Sequence, residues 1–83
     1  MNELLSEIEH GREVRILKIR GQAAIRQRLL DMGVTRGTVV RVDRTAPLGD
    51  PIQICVKGYC LALRKEEAAG ITVEGANGGE QSN

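Results

Sequence analysis

The sequence predicts a small, mainly β domain, a strongly bent barrel of about five short strands with one inserted α-helix. The chain has 83 residues and a single aromatic residue, so its core must be aliphatic, and β-branched aliphatic residues favour strands. Short apolar runs alternate with polar residues between Gly and Pro turn signals. Only residues 22–32 show a convincing helical period. A chain of this length forms one domain.

The first segment predicted is a turn or short helix, and a strand follows it. Residues 2–9 carry apolar side chains at helical spacing and end at a His-Gly pair. Residues 14–20 then alternate as a strand does, although Leu17 and Ile19 make both of its faces partly apolar. This segment is therefore the first strand of the predicted barrel.

The inserted helix is predicted over residues 22–32. Ile25, Leu29 and Met32 fall on one face of a helix, and polar side chains lie away from that face. Gly33 follows directly, and glycine most readily takes the left-handed conformation that closes a helix. The apolar face is expected to pack on the sheet.

A second strand and an ordered loop come next. Residues 38–44 are a β-branched run, which predicts a strand. Residues 46–51 cannot continue it, because Pro47 and Pro51 have no amide hydrogen to donate to a neighbouring strand. A loop stiffened at both ends is therefore expected between two strands.

A β-hairpin is predicted around a two-residue turn at Lys57-Gly58. Apolar residues alternate with polar or small ones on both sides of this turn, and the phase of the alternation switches there. A two-residue turn places all six apolar residues on one face. The register pairs Val56 with Tyr59, Cys55 with Cys60, Ile54 with Leu61 and Ile52 with Leu63.

The remaining residues predict a helical turn over 64–69, closed by Gly70, and a last short strand over 71–73. Residues 75–83 contain three glycines and no large apolar side chain, so they are expected to form a disordered tail behind a domain of residues 1–74. Short strands with tight turns and one inserted helix favour an SH3-like barrel. A two-layer sheet with the helix on one face is the alternative.

Charge and hydropathy exclude several function classes. Twelve Lys and Arg against 11 Asp and Glu give a net charge of +1, whereas tight nucleic-acid binding needs several uncompensated cations. No apolar run approaches the roughly 20 residues that span a bilayer. Residues 1–10 contain three Glu where a signal peptide would be basic and then apolar. We expect a cytoplasmic protein without a nucleic-acid partner or direct membrane insertion.

Catalytic and metal-binding residue patterns are also missing from the sequence. There is one His, His10, and no Gly-Lys-Ser/Thr phosphate loop. Four residues separate Cys55 from Cys60 and no second pair exists, which is not the spacing of a structural zinc site. We expect no enzyme activity, no bound metal and no cofactor. The two cysteines are expected to be directly opposed, reduced in cells and able to oxidise in vitro. Their role is left open between packing and a metal or redox function.

Five sequence motifs resemble those of the FeoA family (ferrous iron transport protein A), in the same order and with the same spacing, over roughly residues 4–74. The motifs are Arg28 to Val34, Gly37-Thr38, Ala46 to Ile52, Gly58-Tyr59 and Leu61 to Lys65. The resemblance implies an SH3-like barrel and a role in bacterial ferrous iron uptake beside the transporter FeoB, which carries a cytosolic GTP-binding domain. Domains similar to FeoA also occur at the C-terminus of iron-dependent repressors. A metal-sensing or thiol-redox module is therefore the alternative function.

Contact with the transporter is predicted at the stiffened loop and at nearby charges. Leu48 is apolar at a position where turns usually carry polar residues, and a rigid loop loses little entropy on docking. Two interpretations of Leu48 are open: an anchor for a partner, or a side chain folded back onto the barrel. Weak self-association is also left open. The candidate partner-binding residues are Pro47, Leu48, Gly49, Asp50, Arg28 and Arg44.

Overall fold

The structure is a computed structural model that describes residues 2–76, and it confirms a mainly β fold with an inserted helix. Six strands, two α-helices and one 3₁₀ turn make up the described part of the chain. Their bounds are β1 Glu3–Leu4, a 3₁₀ turn Leu5–Glu7, β2 Glu13–Ile19, α1 Ala23–Asp31, β3 Val39–Thr45, β4 Ile52–Val56, β5 Tyr59–Leu63, α2 Lys65–Ala69 and β6 Ile71–Gly75.

All six strands form one antiparallel sheet in the order β1-β6-β2-β3-β4-β5. The register shifts in β2 between Ile16 and Lys18 and in β3 between Val42 and Arg44. Such bulges bend a strand and increase its twist, which curves a sheet this small around its own core. The prediction of about five strands omits β1. Two residues are too short to show an alternation, and β1 forms because the edge of β6 is available to it.

The hairpin of β4 and β5 has the predicted register at all four pairs. Ile52, Ile54 and Leu63 are buried as expected, whereas Tyr59, beside the turn, is 45% exposed. The turn end of the hairpin thus extends past the core. The Tyr59 hydroxyl donates a hydrogen bond to the backbone carbonyl of Met32 and so ties β5 to the end of α1.

The core is aliphatic, as the composition predicts. Its members come from both ends of the described chain, so the sheet curves around residues that are distant in sequence. The buried residues are Leu5, Ile8, Val14, Ile16, Leu29, Val34, Val40, Val42, Ile52, Ile54, Leu63, Ala68, Ile71 and Val73.

Helix α1 contacts the core through the predicted face. Leu29 is fully buried, and Ile25 and Met32 are half-buried against the core. Gly33 has φ +86°, the left-handed conformation predicted for the residue that ends the helix. The helix therefore rests on the sheet through a narrow apolar stripe, and most of its surface stays exposed.

The C-terminal elements match the sequence except at the end of β6. The strand continues through Gly75, and the Ala76 amide donates to the Glu13 carbonyl at 3.0 Å. The first residues of the predicted tail therefore belong to the sheet, and residues 77–83 lie outside the described residues. Within residues 2–76, no helix is both long and apolar enough to cross a bilayer.

Candidate functional site

The loop over residues 46–51 is held in shape by its own backbone. The Gly49 amide donates to the Ala46 carbonyl at 2.7 Å, and the Ala46 amide donates to the Pro51 carbonyl at 3.0 Å. Pro47 occupies the second position of the resulting β-turn, where a fixed φ is favourable, and Gly49 occupies the fourth with φ +86°. Because these bonds use main-chain groups alone, the shape of the loop does not depend on the side chain at its tip.

Leu48 stands at that tip and points into solvent. Its side chain is 93% exposed, the highest value among the large exposed hydrophobic residues of the described chain. The interpretation in which Leu48 folds back onto the barrel is therefore wrong. The turn is closed by backbone bonds, so burying Leu48 is not needed to stabilise it. An exposed leucine on a rigid loop can supply an apolar anchor to a partner.

Asp50 connects this loop to helix α2. Its Oδ1 accepts a hydrogen bond of 3.0 Å from the backbone amide of Lys65, the first residue of α2. This contact satisfies an amide that has no partner within the helix. Asp50 therefore positions the loop. The Lys65 side chain also lies beside the loop, since its Nζ is 4.0 Å from the position that a Cβ would take at Gly49.

Arg44 is the more accessible of the two predicted arginines. Its side chain is 75% exposed, and Nε lies 3.9 Å from Asp43 Oδ2, a contact at the outer limit for an ion pair. Such a pair contributes little in water. The guanidinium therefore remains available to a partner.

Arg28 has a different environment. It forms an ion pair with the carboxylate of Glu67, whose side chain is 8% exposed. The second carboxylate oxygen of Glu67 accepts the backbone amide of Arg64 at 2.8 Å, which caps helix α2. Arg28 thus joins α1 to α2, and its charge is largely matched inside the molecule.

Helix α2 links the loop to Arg28. The Lys65 backbone amide holds the loop through Asp50, and Glu67, two residues further along the helix, holds Arg28. The sequence does not indicate Lys65 and Glu67, because no local pattern shows that Asp50 meets Lys65 or that Arg28 meets Glu67. The capping interaction between residue 64 and the Glu three positions later was the one available signal.

We expect Arg28→Ala to lower the free energy of unfolding by about 1–2 kcal/mol, because it leaves the buried Glu67 carboxylate without its cation. Glu67→Gln should cost less, since the remaining guanidinium is half-exposed and can be hydrated. Urea denaturation of both variants and of the double variant measures the coupling. Additive effects would show that the two side chains do not interact in solution.

Cys55 and Cys60 are directly opposed, as predicted, and the structure joins them by a disulfide with a Cα–Cα distance of 3.9 Å. Cys60 is exposed and Cys55 half-buried, so neither belongs to the core and the packing interpretation does not hold for Cys60. Their reduction in cells stays a prediction. Among residues 2–76 there is no group of three or more His, Cys, Asp or Glu placed to hold a metal ion.

Comparison with known proteins extends over nearly the whole described chain. The FeoA domain family matches residues 4–75. A curated relative from Porphyromonas gingivalis, an Fe(2+) transport protein A/Fe(2+) transporter FeoB fusion protein, is 39% identical over 70 residues, which are 84% of this chain and 8% of that protein. This chain therefore spans only a small part of the relative's length.

Solved structures give the same result. The FeoA protein from Chlorobium tepidum is 38% identical with a TM-score of 0.88, over 98% of this chain and 76% of that one. A zinc complex of FeoA from Stenotrophomonas maltophilia, described as a prokaryotic SH3 domain protein, is 28% identical with a TM-score of 0.75, over 87% and 89%. These matches confirm the SH3-like fold. The chain belongs to the FeoA family.

Proposed function

We propose that this chain is a cytosolic accessory protein of bacterial ferrous iron uptake that binds the cytosolic GTP-binding region of a FeoB-type transporter. The observation that carries the proposal is Leu48, 93% exposed on a loop that its own backbone holds rigid. The relative in which FeoA and FeoB form one protein supports the identity of the partner, because domains joined in one chain commonly act together.

The contact surface consists of Leu48 with charged side chains around it. Arg44 and Lys65 provide cations near the loop, and Asp50 keeps the loop against α2. An apolar anchor inside a polar rim concentrates binding energy in a few side chains. The protein acts by occupying a surface of the transporter, and no catalytic step by this chain is required.

The direct test is calorimetric titration of the full chain into the purified cytosolic region of the transporter from the same organism. Saturable binding with one-to-one stoichiometry is the expected result. A lack of heat and of co-elution at concentrations up to about 1 mM, where the binding free energy is only about −4 kcal/mol, would contradict the proposal.

A thiol-redox function is the second candidate, and the Cys55–Cys60 disulfide, in which Cys60 is exposed, is the observation that favours it. We expect Cys55→Ala with Cys60→Ala to lower the free energy of unfolding by about 1–3 kcal/mol, because the crosslink restricts the unfolded chain. Affinity for the transporter region should stay unchanged. Lost affinity in a variant that keeps its circular dichroism spectrum would support the redox function instead. Titrating the oxidised and the reduced wild-type protein supplies the matched control.

A further inference from the structure

An open groove of about 550 Å³ lies between strand β2 and helix α1, on a part of the surface that the loop does not use. Its lining combines aliphatic and cationic side chains and contains no acidic residue. The lining residues are Leu17, Lys18, Ile19, Arg26, Leu30 and Arg36.

The groove follows an unpaired strand edge. β3 pairs with β2 from Glu13 to Arg15, and the last bonds on that side join Ile16 to Gly37 and Thr38. Within the described chain, Lys18 and Ile19 pair with β6 alone, and Leu17 has no register partner in either neighbouring strand. Lys18 and Ile19 follow the bulge and lie on opposite faces of the strand, so a groove that both residues line runs along the strand edge. Backbone groups on such an edge can pair with an added strand.

The floor of the groove is apolar. Leu17 is the extra residue of the bulge between Ile16 and Lys18, and a bulge changes the direction in which a side chain points. Leu17 and Ile19 are half-buried, and Leu30 of α1 is 47% exposed. A single aliphatic side chain of a partner would therefore find apolar contacts on both walls.

The rim is cationic and lacks internal charge pairing. Lys18, Arg26 and Arg36 are exposed, and within residues 2–76 none of them forms an ion pair. By contrast, the structure pairs five other arginines with carboxylates. Three uncompensated cations lie around one groove in a chain whose net charge is only +1. This local field favours an acidic ligand.

We propose that this groove binds an acidic, extended peptide segment of a partner protein, which pairs with the β2 edge and places one aliphatic side chain on the groove floor. The open edge accounts for the extended form, the floor for the aliphatic residue and the three cations for the acidic composition. This site is separate from the Leu48 surface, so the test of the groove does not depend on whether the chain binds the transporter.

The probe is a short synthetic peptide with a central Leu flanked by Glu residues, titrated into the isotope-labelled full chain and followed by amide chemical shifts. Shifts are expected at Leu17, Lys18 and Ile19. Three matched peptides test each part of the proposal: Ser in place of the Leu, Gln in place of the Glu residues, and backbone N-methylation at alternate residues. Each should bind about tenfold more weakly or not at all.

Protein variants test the rim. Arg26→Glu with Arg36→Glu should weaken binding by about tenfold or more, whereas Lys57→Glu, which reverses an exposed charge at the hairpin turn, should change it less than about twofold. Equal binding by the double variant, at an unchanged melting temperature, would overturn the proposal. Equal binding of the Ser and N-methylated peptides, with competition by a single-stranded oligonucleotide, would identify a general polyanion site and would also overturn it.

Discussion

Replacing Leu48 by Asp is expected to weaken binding to the cytosolic region of the transporter by about 2 kcal/mol, roughly thirtyfold in affinity. The side chain is 93% exposed, so the substitution removes no packing from the core. The turn is closed by main-chain bonds, so the loop keeps its shape. The change therefore acts on the complex, where a carboxylate would have to be desolvated in place of an apolar anchor.

Leu48→Met is the matched control, because it keeps an apolar side chain of similar volume and should keep the affinity. Circular dichroism and the melting temperature of both variants should equal those of the parent protein. Iron uptake by cells carrying each variant should follow the measured affinities. Normal affinity and normal uptake with Leu48→Asp would remove this loop from the interface.

Leu29→Ala should lower the free energy of unfolding by about 3 kcal/mol, the typical cost of emptying a fully buried leucine site. Leu29 is the side chain of α1 that is completely buried, and the helix otherwise rests on half-buried residues and on the Arg28–Glu67 pair. A loss of this size should lower the melting temperature by roughly 15 °C in a domain of this length.

The adjacent residue gives the control for this prediction. Leu30 is 47% exposed and points into the groove, so Leu30→Ala should change the free energy of unfolding by less than about 0.5 kcal/mol. Thermal and urea denaturation of the two variants measures the contrast. Similar losses at both positions would mean that α1 docks in solution through a different face.

The elements predicted best from the sequence are those defined by neighbouring residues. A two-residue turn with alternation on both sides sets the β4–β5 register, so every predicted pair is observed. Helix α1 and its closing Gly33 follow from a short periodic segment. The resemblance to the FeoA family is visible in the sequence because its motifs combine turn residues and core residues at fixed spacing. The family model matches residues 4–75.

The surroundings of the candidate partner-binding residues are less predictable, because they depend on what the fold brings beside each charged side chain. Arg28 as a partner contact stays a prediction, and the structure adds that Glu67, 39 residues away in sequence, pairs with it. Asp50, a predicted rim charge, also accepts a hydrogen bond from the Lys65 backbone amide. The open edge of β2 depends on where β3 stops pairing, which the pattern of β2 alone does not show.

Local sequence patterns are enough to establish the mainly β class, the aliphatic core, the hairpin register and the stiffness of the 46–51 loop, because turn residues and side-chain alternation act over a few neighbouring positions. Three other features follow from the folded arrangement alone: β1 adds to β6, Leu48 points into solvent and Arg28 is paired with Glu67. These outcomes depend on which distant groups meet when the sheet bends around its core, and burial or ion pairing between such groups leaves no local pattern in the chain.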